Sequence, residues 1–319
     1  MSTNHFDVAI VGGGPAGLSA ATTLARSLRS VIVIDAGEPR NAPADGAHNV
    51  LGNEGIRPTE LLEKGRAEAH GYGAEIRSGT VIGAARTDTG FTLDLADGDT
   101  VTARRVLLAA GLVDELPDVP GVRELWGSTV LHCPYCHGYE VRGRRIGVLG
   151  TNPMSLHQTL LFSQLSDDVT LFTHTMPPVE PAELEQLSAL GVTIVDGPVD
   201  HLDIADDALR AVVLGDGTTV ERDALVVAPR FVVRSELYTR LGGTLSDHPM
   251  GGQFIAADPM GATDIPGVWA AGNVANLGAT VSVSMGAGVT AGGAINMDLV
   301  AEDARRAVDA RGVGATAAV

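Results

Sequence analysis

The chain holds two cysteines, and they stand together in His132-Cys133-Pro134-Tyr135-Cys136-His137. Thiols at C-x-x-C spacing can close a small disulfide ring and reopen it by thiol–disulfide exchange, so the pair reads as a redox centre. Each flank adds a histidine, a group that changes charge near neutral pH. His137 is the first choice for a base, because an ordinary pKa of about 6.5 lets it take a thiol proton and return it. His132 is the alternative. Pro134 favours a helix start, which would set Cys133 at the positive end of a helix dipole and lower its pKa. Three other uses of the segment fit less well. C-x-x-C-H is also the attachment pattern of c-type haem, but that chemistry belongs to exported chains, and Met1–Asp7 carries none of the marks of a signal peptide. Zinc would need four ligands from six residues, which can hardly close a tetrahedron without a second segment. Two structural thiols would leave the spacing without a reason. No metal is expected.

A redox disulfide needs an electron partner, and the start of the chain offers a site for one. Phe6–Val11 reads as a buried strand, Gly12, Gly14 and Gly17 follow in G-x-G-x-x-G spacing, and Leu18–Leu28 has a helical period. A second apolar run, Val31–Ile34, ends at Asp35. Strand, glycine turn, helix and acid in this order form a dinucleotide site: the backbone approaches a pyrophosphate, helix amides face it, and the acid accepts from a ribose.

The rest of the chain reads as α/β with two Rossmann-like domains. Pro58–Gly71 is helical in pattern, and Thr80–Ala103 holds alternating runs around Asp97-Gly98, an antiparallel insertion. Val106–Ala110 is a buried strand. The proline-rich stretch Leu116–Gly121 marks a boundary, giving a discontinuous domain of residues 1–116 and 245–319 around a central domain of residues 117–244. In the centre, Arg145–Leu149, a helix from about Met154 to Leu165 and Val169–Thr173 repeat the strand–turn–helix plan. A hairpin at Ala208–Glu221, a strand at Ala224–Ala228, a strand at Val268–Ala271 and a small-residue helix from about Met285 to Val300 follow. Ala315–Val319 is expected to fray.

The central turn lacks the glycines. After Gly150 come Thr151-Asn152-Pro153-Met154-Ser155, so Asn152 and Ser155 place side chains where a pyrophosphate or the helix must approach. After the next strand stand Thr173-His174-Thr175-Met176-Pro177-Pro178, with no arginine for a 2′-phosphate and no acid for a ribose. A relic of a nicotinamide site is expected, one that uses neither NADPH nor NADH.

Composition narrows the partners. With 39 acidic and 22 basic residues the formal charge is −17, which repels a polyanion, so no nucleic acid is expected. Lys64 is the sole lysine, and no cationic cluster suits an acidic membrane surface. No stretch approaches the roughly 20 apolar residues of a membrane span. A cytoplasmic place is expected.

Gly12-Gly13-Gly14-Pro15-Ala16-Gly17, Cys133-Pro134-Tyr135-Cys136 and Ile265-Pro266-Gly267-Val268-Trp269-Ala270-Ala271-Gly272-Asn273 together resemble the low-molecular-weight thioredoxin reductase family over essentially the full length. The resemblance implies FAD as cofactor and a homodimer. It implies that Gly12, Gly14, Pro15, Ala16 and Gly17 lie at the FAD pyrophosphate, and Asp35, followed by Ala36 and Gly37, at the ribose. Arg40 and His48 would be neighbours of the cofactor, Ala110 and Gly111 would run along it, and Gly272 and Asn273 would meet the ribityl chain. Asn273 and His137 both depart from the family, which has aspartate at each place.

With the nicotinamide site missing, the chain looks like the branch of flavin dithiol oxidases that close disulfides in natural products such as gliotoxin, holomycin and romidepsin, with the holomycin type nearest. That likeness implies attack of a small-molecule dithiol on Cys133, passage of two electrons from Cys136 to FAD, and discharge to O2 as H2O2. The alternatives are a protein disulfide reductase fed by NADPH or another donor such as ferredoxin, and a non-catalytic flavoprotein.

Overall fold

The computed structural model describes residues 5–249 and 251–316, with side chains as far as Arg311. The chain runs β1 (His5–Val11), α1 (Pro15–Arg26), β2 (Val31–Asp35), α2 (Pro58–Gly71), β3 (Glu75–Ser78), β4 (Val81–Thr87), β5 (Gly90–Leu95), β6 (Thr100–Leu108) and β7 (Leu112–Glu115). Next come β8 (Val130–Leu131), α3 (Pro134–His137), β9 (Ile146–Leu149), α4 (Met154–Phe162), β10 (Val169–Phe172), α5 (Pro181–Ala189), β11 (Thr193–Val195), β12 (Val199–Ala205), β13 (Ala208–Leu214), β14 (Thr219–Glu221), β15 (Ala224–Val226) and β16 (Arg230–Val233). The last elements are α6 (Glu236–Arg240), β17 (Ser246–Asp247), β18 (Gln253–Phe254), β19 (Val268–Ala270) and α7 (Val281–Thr316).

Contacts divide the chain into two units, one of Met1–Pro39, Thr59–Val113 and Val233–Val319, the other of Arg40–Pro58 and Asp114–Val232. The sequence expectation had residues 40–58 in the terminal domain and the return of the chain near residue 245. Packing explains the difference for the first segment: a Cβ on Gly127 would lie 2.6 Å from Pro43 Cβ, and Arg40 pairs with Asp114.

In the first unit one sheet has the order β3-β2-β1-β6-β5-β4, with β19 also paired to β6. Strands β3, β2, β1, β6 and β19 are parallel. Strands β4 and β5 form the antiparallel insertion. Helices α1 and α7 cover one face of β1 and β2: Val8, Ile10, Val31 and Val33 pack with Ala20, Leu24, Ala291, Ile295 and Leu299.

Helix α7, read from the sequence as a small-residue helix, meets α1 through those small residues. A Cβ on Gly288 would lie 2.1 Å from Ala16 O, and one on Gly292 would lie 3.1 Å from Ala20 O. The helix runs past the expected end near Val300. Arg105 holds it by Asp298 at 2.6 Å, and Arg29 holds it by Asp303 at 2.7 Å. Ala315 and Thr316 continue its backbone, and residues 317–319 lie outside the described residues.

The second unit has a parallel sheet of order β11-β10-β9-β15-β8 and an antiparallel sheet β12-β13-β14. Among the described residues no helix is long and apolar enough to cross a membrane.

The close approach of α7 to α1 makes Gly288→Val a test of this packing. The substitution is expected to lower stability by about 2 kcal/mol, read as an earlier urea midpoint. Gly286→Ala, on the same helix with open space around its Cβ, is expected to keep the midpoint or raise it.

Candidate active site

The first unit carries the glycine turn between β1 and α1. Two of its glycines are required by the chain itself. Gly12 has φ +107°, and a Cβ there would lie 2.4 Å from Ala109 O; a Cβ on Gly17 would fall 1.9 Å from Gly12 O. Gly14 differs, since a Cβ there would meet nothing within 4 Å. Its lack of a side chain keeps a space open beside the first turn of α1. That helix begins with Pro15 and has no side-chain cap, so the amides of its first turn are left to a ligand. Asp35, at the end of β2, accepts from the Gly13 N–H at 3.1 Å and lies 3.9 Å from the Arg66 guanidinium. Ala36 and Gly37 follow it, exposed. An uncapped helix start, an open glycine and an acid at the next strand end fit a dinucleotide.

Gly272, with φ +78°, brings its own turn against α1: a Cβ there would lie 3.0 Å from Ala16 Cβ. Asn273 next to it donates from Nδ2 towards the carbonyls of Asn276, Leu277 and Ala279 at 3.1, 3.3 and 3.0 Å. The structure thus gives a reason for asparagine, because an aspartate would set a carboxylate against three carbonyl oxygens. Ala110 and Gly111 are half-buried, and the Gly111 carbonyl accepts from Arg234 N–H at 3.0 Å.

The second unit carries the cysteines. Cys133 and Cys136 are joined in a disulfide with their Cα atoms 5.3 Å apart. Cys133 caps α3, whose first residue is Pro134. The expected helix start is there, but α3 is one turn of four residues, so its dipole is a weak lever on a thiol. Cys136 is exposed and Cys133 half-buried.

The two flanking histidines differ in how they are held. His132 Nδ1 lies 3.0 Å from the Val227 carbonyl, and the edge of the ring meets Phe231 with centroids 5.4 Å apart. Burial holds its pKa below the ordinary histidine value; the Val227 hydrogen bond pulls the other way, and the charges of Arg40 and Asp114 oppose each other. His137 is half-buried. Its pKa too is lowered, first by burial, with Glu140 working against the shift.

Residues 40–58 pack around this loop. Arg40 makes a two-pronged pair with Asp114, at 2.7 Å on each prong, and its guanidinium sits 4.9 Å from the Phe231 ring. His48 lies between Glu54, at 2.7 Å, and Glu140, at 3.5 Å. Asn49 donates to the Tyr135 carbonyl at 2.8 Å. Arg40 and His48 were named in the sequence as cofactor neighbours; their contacts described here are with the disulfide's unit. Gln158, Val227 and Phe231 were not foreseen. A glutamine on the inward face of α4 is the one signal that the sequence offered for them.

The central turn after β9 is filled by its own chain. The Thr151 N–H donates to Ser155 Oγ at 3.2 Å, and the Met154 N–H donates to Asn152 Oδ1 at 2.9 Å. Both acceptors stand where a nucleotide site needs glycine. The 173–178 segment closes over the turn: the amides of Thr175 and Met176 donate to Gly150 O at 3.0 Å each. A Cβ on Gly150 would lie 2.6 Å from Met176 Sδ. His174 is tied down as well, accepting from Val199 N–H at 3.0 Å. Among the described residues no group of His, Cys, Asp and Glu is gathered to hold a metal.

The family model for pyridine nucleotide-disulphide oxidoreductases matches residues 6–288. The thioredoxin reductase tcpT of Claviceps purpurea is 34% identical over 95% of this chain and 97% of its own. The thioredoxin reductase sirT of Leptosphaeria maculans is 30% identical over 93% and 95%. Among solved structures, that of HlmI superposes with a TM-score of 0.93 at 44% identity and covers 99% of both chains. An oxidoreductase from Agrobacterium tumefaciens gives 0.87 at 35% over 93% and 99%. The chain therefore belongs to the pyridine nucleotide-disulphide oxidoreductases, as an FAD-dependent oxidoreductase enzyme of thioredoxin reductase-like fold.

Proposed function

We propose that the enzyme oxidises a small-molecule dithiol to an intramolecular disulfide with O2 as the final acceptor, releasing H2O2. The observation that carries this reading is the central turn, where Ser155 and Asn152 occupy the amides that a pyrophosphate would take and Met176 covers Gly150. A chain that does not hold NADPH takes its electrons from another donor, and a dithiol is the donor that the Cys133–Cys136 disulfide accepts from directly.

The chain's own residues divide the work as follows. Gly12, Gly14, Pro15, Ala16, Gly17 and Asp35 hold the adenine-side pyrophosphate and ribose of FAD. His132 takes the proton of the first substrate thiol. Its ring, held by the Val227 carbonyl, makes it the base in this reading, since among the described residues no such carbonyl anchors His137. The substrate thiolate attacks Cys133 Sγ, the sulfur next to that base; the Cys133–Cys136 bond breaks and Cys136 leaves as a thiolate. The second substrate thiol, its proton released to solvent, attacks the substrate sulfur of the mixed disulfide and expels Cys133 as a thiolate. One S–S bond has formed in the substrate and one has been reduced in the enzyme. FAD, when bound, accepts the electron pair of the reduced cysteines and delivers it to O2.

The substrate class follows the natural-product dithiols of the resemblance, the holomycin type nearest, and the role is biosynthesis or self-protection in the cytoplasm. A homodimer is part of the same reading: Val289, Met297, Val300 and Val308 stand exposed on one face of α7 by helical spacing. The names of the fungal relatives favour a second reading, a protein disulfide reductase fed by NADPH or by another donor such as ferredoxin.

Anaerobic mixing decides between them. Dithiothreitol is expected to bleach the flavin while NADPH and NADH leave it oxidised, and readmitted air is expected to give one H2O2 per disulfide formed. Stoichiometric bleaching by NADPH would overturn the oxidase.

His132→Ala is expected to keep FAD and the disulfide but to slow dithiol-driven bleaching by roughly 10²–10⁴-fold. Burial lowers the pKa of His132, so the wild-type acid limb should fall below about pH 6.5. The variant's deficit should shrink as pH rises and substrate thiols ionise unaided. If His137→Ala shows the larger, pH-dependent loss instead, the base lies on the other flank.

A further inference from the structure

Gln158 lies on α4, the helix that follows the filled nucleotide turn, and is 5% exposed. Its Nε2 has two hydrogens and three neighbours: His132 O at 3.1 Å, Val227 O at 3.3 Å and His132 Nδ1 at 3.0 Å. The two carbonyls can only accept, so they claim the two hydrogens. His132 Nδ1, 3.0 Å from Val227 O, must then carry a proton of its own, since otherwise two lone pairs would face each other. The other amide arrangement is excluded by the same contacts, because it would set Oε1 against both carbonyl oxygens. As it stands, Oε1 is buried with no partner among the described residues. A buried acceptor left unmet is destabilising, so this amide is held at a cost by what its nitrogen does.

We propose that Gln158 is a positioning residue: by pinning the carbonyls of His132 and Val227 it locks the His132 imidazole in the Nδ1-protonated tautomer and leaves Nε2 as its basic nitrogen. The pinned Val227 carbonyl is the acceptor that fixes the ring. The other neighbours complete the clamp, with Phe231 against the ring edge. Arg40 and Asp114, bound to each other, are the charged groups that act on it. The helix that would open on a nicotinamide cofactor serves here to orient a base. The importance for turnover rests on the dithiol-oxidation reading above; the tautomer is a property of the ring alone.

The test is long-range 1H–15N NMR of the histidine rings in the FAD-loaded, full-length protein, with His132→Gln assigning the signal. In the wild type, His132 is expected as the Nδ1–H tautomer. Gln158→Met, which keeps volume and removes both donors, is expected to mix the tautomers. Gln158→Glu, which replaces the donor by an acceptor, is expected to hold the ring protonated to higher pH. In parallel, dithiothreitol-driven bleaching by Gln158→Met should slow roughly 10- to 100-fold, with the acid limb moved upward and FAD content unchanged. A wild-type Nε2–H tautomer, or an unchanged Nδ1–H signal in both variants, would overturn the proposal. A changed tautomer with an unchanged rate would uphold Gln158 and count instead against His132 as the base of dithiol oxidation.

Discussion

A backbone N–H at a helix start can donate to one acceptor at a time, and the two strand–turn–helix repeats of this chain commit that donor to different acceptors. In the first, Gly14 contributes no side chain and α1 has no side-chain cap, so the amides remain open to an acceptor from outside the chain. In the second, Ser155 Oγ and Asn152 Oδ1 accept from the turn itself. An acceptor tethered by a few bonds has a large effective concentration, so any outside acceptor must compete with the chain's own side chains for those amides. The asymmetry follows from local hydrogen bonding and needs no rearrangement of the fold.

The chain around the central turn is packed onto it. The 173–178 segment carries no arginine and lies down on Gly150. Helix α4 carries Gln158 inward onto the strand ends at His132 and Val227.

Much of this was legible in the sequence where the signal is local. Strands β1 and β2 and the turn between β1 and α1 declare themselves by apolar runs, glycine spacing and Asp35, and α2 falls at Pro58–Gly71 as read. The helix α4 and the strand β10 were likewise visible. What escaped depends on distant partners. The polar strand β12 has its alternation interrupted by two register shifts. Helix α7 outruns its apolar stretch because Arg29 and Arg105 hold its acidic continuation. Residues 40–58 join the central unit through Gly127, Tyr135 and Asp114, none of which is near them in sequence.

The base shows the same limit at the scale of one side chain. Residue type and adjacency place a histidine on each flank of the disulfide, and pKa arguments based on type treat them alike. Burial lowers both, so the direction of the shift does not separate them either. Among the described residues one ring nitrogen of His132 has a fixed acceptor, and a neutral imidazole offers its lone pair only on the nitrogen that does not bear the proton. For His132 that acceptor is the carbonyl of Val227, 95 residues away in sequence. No heptapeptide motif can encode it; the parallel sheet that brings β15 beside β8 does.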